Sequence, residues 1–142
     1  MADRRTAIIT GASQGIGAET AREFGRRGYA VTVTARTRDK LESVADDIRA
    51  SGGEALVHAG DLCDLDFAES VIDATIKEFD RIDVLVNNAA WRDVVTMRNI
   101  TKESWERTLR IALTTPAFMA RWAAVQMEKQ GNGVIINISS TM

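Results

Sequence analysis

Three glycines, Gly11, Gly15 and Gly17, fall within eight residues after the apolar run Ala7-Ile8-Ile9, with Ser13, Gln14 and Ile16 between them. Residues of these types at this spacing suit phosphate binding. Glycine lets the backbone take positive φ or approach a ligand closely, and a helix that begins here turns unpaired N–H groups toward an anion. The order Gly-x-x-x-Gly-x-Gly differs from the Gly-x-Gly-x-x-Gly of the common dinucleotide fingerprint, so its context has to carry the reading. About twenty residues further on, where such folds read the ribose, a second apolar run ends at Ala35 and Arg36. A carboxylate at that point would accept from the ribose hydroxyls of NAD. Here there is a methyl group followed by a guanidinium, which can grip a 2′-phosphate with charge-assisted bonds worth roughly 1.5–3 kcal/mol. NADP is therefore expected over NAD, with Thr37 and Arg38 as assistants. The alternatives are that Arg36 is a solvated loop cation and that Arg38 only begins the next helix.

The elements that must hold these residues can be read from periodicity. Strand-like runs at 6–10, 30–35, 55–59, 84–87 and 134–138 alternate with helical patterns at 15–27, 38–51, 66–79 and 101–129. Such alternation means βαβ units and a parallel sheet with helices on both faces, an α/β doubly wound fold of the Rossmann type. Ligand binds such sheets at the carboxyl ends of the strands, where the strand order reverses. Gly28 and Gly52-Gly53 read as helix stops, and Gly131-Asn132-Gly133 separates the last helix from the last strand. Residues 1–142 form one domain, without a linker, repeat or low-complexity tract.

Composition excludes several classes. Eighteen basic and twenty acidic residues give a net charge of -2, which offers no electrostatic case for nucleic acid or an anionic membrane. Cys63 is the only cysteine, so no disulfide forms within the chain, and it reads as a packing residue. No apolar run approaches a membrane span, no cluster has metal-ligand spacing, and the N-terminus is charged from Asp3 without the apolar core of a signal peptide. A cytoplasmic location is the expectation. His58 reads as incidental.

Residues 10–17, then Asp61-Leu62, then Asn87-Asn88-Ala89-Ala90, then Ile136-Asn137-Ile138-Ser139-Ser140, resemble in order the signature of the short-chain dehydrogenase/reductase family, classical branch. The resemblance implies strand order 3-2-1-4-5 and hydride transfer between NADP(H) and a small-molecule carbonyl or secondary alcohol. It also implies cofactor contacts at Gly11, Ser13, Gln14, Gly15, Ile16, Gly17, Arg36 and Thr37. Asp61 would bind the adenine amino group and Leu62 would pack on the ring, although Asp61 and Asp64 both suit capping of the following helix. At Asn88, Ala89 and Ala90 the chain would pass the cofactor ribose, with Ala90 in place of the usual glycine.

Ser140 aligns with the serine that hydrogen-bonds the substrate carbonyl, though a serine pair after a strand is also a turn signal. The family's Tyr-x-x-x-Lys acid/base motif is absent from these 142 residues, and the one tyrosine, Tyr29, precedes the second strand. Ala112 stands where the family has an asparagine in its proton relay. Pro116, lacking an N–H, either leaves the Ala112 carbonyl free for a relay water or merely kinks a helix whose relay is weakened. Trp91, Arg92 and Asp93 are expected toward the substrate side, Trp91 lining the pocket or standing exposed. Two readings follow: the cofactor-binding portion of an oxidoreductase, or a nucleotide-binding module without turnover. The chain covers a little more than half of a full family member, which is expected to be a homo-oligomer through the long helix. The uncharged run 134–138 is expected to pair edge to edge with other chains.

Overall fold

β1 (Thr6–Thr10) is buried at every position, because it is the middle of a sheet covered on both faces and so reads as a continuous run rather than an alternation. In the computed structural model, which describes residues 4–140, five parallel strands lie in the order β3-β2-β1-β4-β5. The Asp3 of the sequence reading lies outside the described residues. The other strands are β2 (Ala30–Ala35), β3 (Glu54–Ala59), β4 (Val84–Asn87) and β5 (Val134–Asn137). The helices are α1 (Gly15–Arg26), α2 (Arg38–Ala50), α3 (Leu65–Phe79), α4 (Lys102–Leu109) and α5 (Thr115–Gln130).

The two-residue period of the strands divides the core. Ala7 and Ile9 of β1, Val31 and Val33 of β2 and Val84 and Val86 of β4 point to Leu41, Val44 and Ile48 of α2 and Ala18 and Ala21 of α1. Ile8 and Leu85 point the other way, to Val71 and Ile72 of α3 and Met119 and Ala123 of α5. Full burial of an isoleucine such as Ile8 or Ile9 contributes about 1.5–3 kcal/mol, so each face is anchored at the strand that also carries the glycine turn. Two polar ties fix β4 at its entry. Asp83 accepts from the Thr6 N–H at 2.7 Å and from Arg81, and the Gln130 amide both accepts from and donates to the Ile82 backbone.

Two boundaries differ from the sequence expectation for identifiable reasons. α3 begins at Leu65 because Asp64 is its cap, accepting from the Asp66 and Phe67 N–H groups at 2.9 and 3.4 Å. The helix expected at 101–129 is not uniform: a π-helical turn, Arg110–Thr114, separates α4 from α5, and the Thr115 N–H reaches back to the Arg110 carbonyl. Pro116 supplies no N–H to the Ala112 carbonyl, and the ladder widens by one residue at this point instead of breaking. Ala112 lies in the widened turn and is exposed.

Candidate functional site

A cleft of about 550 Å³ opens at the carboxyl ends of β1, β2, β3 and β4. Its floor is the turn after β1. Gly11 and Gly15 have φ of 65° and 57°, in the left-handed region where a side chain is strained. A Cβ on Gly11 would lie 2.8 Å from the Ala89 Cα, and one on Gly17 would run into the Gly11 carbonyl oxygen. Gly17 is thus a packing residue beneath the turn and does not line the cleft, whereas Gly11, Ser13, Gln14, Gly15 and Ile16 do.

Thr10 stitches this turn to β4. Its Oγ1 accepts from the Asn88 and Ala89 N–H groups, both at 2.9 Å, and donates to the Val86 carbonyl at 3.3 Å. The Asn88 amide donates to the Thr10 and Gly11 carbonyls at 3.1 and 3.3 Å. Asn88, Ala89 and Ala90 line the cleft, with the Asn88 side chain turned to the glycine turn. The α1 N-terminus faces the same space. Gln14 at its cap makes no capping bond, accepting instead from Lys40 Nζ at 3.2 Å, and the first turn holds no acid. A glycine cradle below uncapped helix N–H groups fits a pyrophosphate, so the residues present suit a dinucleotide.

The far end of the cleft is built by four elements. Ala35, Arg36 and Thr37 come from the end of β2, Gly60, Asp61 and Leu62 from the end of β3, Trp91 from the loop after β4, and Arg107 and Ile111 from α4 and its π turn. Because Asp64 caps α3, the Asp61 carboxylate remains in the cleft, accepting from the Cys63 N–H at 2.9 Å and pairing with Arg107 at 3.3 Å. Burial acts to raise the Asp61 pKa, but the Cys63 N–H and the Arg107 and Arg36 cations outweigh it and hold the carboxyl below its ordinary value. Leu62 is buried beneath it, its carbonyl held by the Thr115 hydroxyl at 2.7 Å. Arg107 lies 4.4 Å from the centre of the Trp91 ring and Arg36 lies 5.5 Å from it.

Lys40, Arg107 and Ile111 were not found by sequence reasoning. Lys40 had a signal, since side chains lean toward the N-terminus of their helix and α2 starts beside Arg36. Arg107 and Ile111 share a helix face by their i, i+4 spacing, but nothing local says that this face meets the cleft.

Other candidates are not brought to the cleft. Arg38 begins α2 and pairs with Glu42 at 3.6 Å. Ser139 and Ser140 follow β5 and are exposed, and neither they nor Ala112 line the cleft. Tyr29 lies before β2, at the opposite end of the sheet, edge-on to Phe24 at 4.9 Å. His58 stacks on Phe67 at 5.2 Å and hydrogen-bonds Ser70. Burial pushes the Cys63 thiol pKa up, as befits a packing residue. Among the described residues no group of His, Cys, Asp and Glu could hold a metal ion, and no helix is long and apolar enough to cross a membrane.

The parallel order, with its glycine turn and cleft at the β1/β4 switch, defines a dinucleotide-binding fold of the Rossmann type. The chain belongs to the short chain dehydrogenase family, whose profile matches residues 5–142. Among solved structures, a metagenomic short-chain oxidoreductase in complex with NADP is 36% identical with a TM-score of 0.93, over 100% of this chain and 65% of that one. An actinorhodin polyketide ketoreductase variant with NADPH is 31% identical with a TM-score of 0.91, over 99% and 54%. An oxidoreductase of Thermotoga maritima is 34% identical over 136 residues, 96% of this chain and 53% of its own length. L-Rhamnose 1-dehydrogenase (NAD(P)(+)) of Azotobacter vinelandii is 36% identical over 141 residues, covering 96% and 55%. The chain spans about half the length of the curated relatives it matches.

Proposed function

We propose that this chain is the cofactor-binding portion of an NADP(H)-dependent oxidoreductase that moves a hydride between the nicotinamide and a small-molecule carbonyl or secondary alcohol. The observation that carries the reading is the end of β2. Ala35 stands where an NAD site needs a carboxylate, Arg36 lines the cleft beside it, and Lys40 adds a second cation held by Gln14. The structural relatives bound to NADP and NADPH support the same choice, while the rhamnose dehydrogenase relative is named for both cofactors.

In this reading the cofactor supplies the hydride, and the chain's residues bind and orient it. The glycine turn and the α1 N-terminus hold the pyrophosphate, Arg36, Thr37 and Lys40 the 2′-phosphate, and Asp61 and Leu62 the base. Asn88, Ala89 and Ala90 border the ribose, and Ser140 hydrogen-bonds the substrate carbonyl. A second reading, nucleotide binding without turnover by these 142 residues, is favoured by the placement of Tyr29. The only tyrosine is at the wrong end of the sheet to donate a proton at the cleft. In an oligomer, the exposed Trp105, Leu109 and Leu113 of the α4 and π-turn segment are where a second copy would pack.

Titration of the chain with NADPH and NADH tests the reading. NADPH is expected to bind tighter by about one to two decades, and Arg36→Ala to remove most of that difference. Equal affinities in the unmutated chain would remove the argument for NADP. In the same samples no ketone or aldehyde should support NADPH oxidation, and saturable oxidation abolished by Ser140→Ala would reject the second reading.

A further inference from the structure

Arg36 makes no hydrogen bond and no ion pair among the described residues, although it lines a cleft that also holds Asp61. Its contact is with a ring face: its guanidinium carbon lies over Trp91 at 5.5 Å. That mode of contact matters. A guanidinium held by a carboxylate uses up its N–H fork, whereas one resting on an aromatic face keeps its in-plane donors free for an incoming oxyanion.

Trp91 is in turn fixed from another element. Arg107 of α4 lies over the same ring at 4.4 Å, and Arg107 is anchored by Asp61, itself tied to the Cys63 N–H. Trp91 also packs against the buried cluster that contains Leu62 and Ile111. A chain of contacts therefore runs from the end of β3, through α4 and the loop after β4, to the cation at the end of β2.

We propose that Trp91, held by Arg107, is a positioning residue that fixes the Arg36 guanidinium with its donors free, and so sets part of the preference for a 2′-phosphorylated nucleotide. This rests on the NADP reading above. The contact at Arg36 is partly exposed, which sets its worth at about a three- to fivefold change in affinity.

The test uses two probes that need no nicotinamide, adenosine 2′,5′-bisphosphate and adenosine 5′-monophosphate, and reads the ratio of their affinities. Trp91→Ala should lower that ratio about three- to fivefold by weakening the bisphosphate alone, and Trp91→Phe, which keeps a ring face, should retain most of it. In an Arg36→Ala background Trp91→Ala should change the ratio no further. An unchanged ratio in Trp91→Ala, an equal loss for both probes, or a full effect without Arg36 would each overturn the proposal and leave the NADP reading standing. A ratio near one in the unmutated chain would overturn that reading and the proposal with it.

Discussion

The two sides of the sheet are finished to different degrees. At the β3 edge, residues 55–59 are half-buried, with Ala55, Val57 and Ala59 packed against the core, whereas at the β5 edge Val134, Ile136 and Ile138 are 54%, 39% and 46% exposed. The cleft residues at the ends of β1, β2 and β3 lie on this closed side and are held by partners: Gln14 by Lys40, Asp61 by Arg107, and the glycine turn by Asn88, which follows β4. Ser140 lies beyond the open strand, exposed and away from the cleft lining. The cleft and Ser140 thus lie in differently packed parts of the described residues.

The largest expected effect is at the floor of the closed side. In Gly17→Ala the new methyl meets the Gly11 carbonyl oxygen, a backbone atom that cannot step aside, so the turn must shift. Destabilisation of about 1–3 kcal/mol is expected, with a matching fall in the denaturant midpoint at constant slope and loss of nucleotide binding. An unchanged midpoint together with unchanged binding would mean that the turn is looser than its glycines indicate.

A change on the open side should behave oppositely. Ile136→Lys places a charge on an uncharged, exposed edge strand and should alter stability by less than about 0.5 kcal/mol while suppressing self-association. Light scattering across a concentration series reads this. If the unmutated chain is a monodisperse monomer throughout, the contrast between the two sides has no consequence in solution.

The smallest effect concerns His58, on the outer strand of the closed side. Burial, and secondarily the Arg38 charge, lower its pKa, so the folded state favours the neutral ring. The unfolded chain takes up the proton near the ordinary value of about 6.5. Its contribution to stability is therefore present above that value and is lost as pH falls from there through the folded-state pKa. His58→Gln should flatten the pH dependence of the unfolding midpoint in that window, and an identical slope in both proteins would place the imidazole outside the linkage.

What was legible in the sequence was what local pattern encodes. The glycine spacing marked the turn, the change of period from two to 3.6 marked the elements, and Ala35-Arg36 marked the end of β2 as a cation-bearing edge. The strand order came from the resemblance, since periodicity alone does not rank parallel strands. Asp61 and Asp64 were indistinguishable as caps, because each is a carboxylate ahead of a helix, and only the backbone path gave the cap to Asp64. The π turn was hidden because Pro116 advertises a missing donor without saying whether the ladder kinks or widens. Arg107 was invisible because its partners, Asp61 and Trp91, lie on two other elements.

The Thr10 hydroxyl bonds the Asn88 and Ala89 N–H groups across sequence separations of 78 and 79 residues. During synthesis the glycine turn therefore leaves the ribosome long before the partners that fix it. At typical elongation rates of 5–20 residues per second that interval is roughly 4–16 s. Until it ends, β1 has a neighbour on one side only and the phosphate cradle has no wall. If the cleft holds a nucleotide as proposed, affinity for it is expected in a nascent chain only after β4 docks and the Thr10 hydroxyl clasps the two turns together.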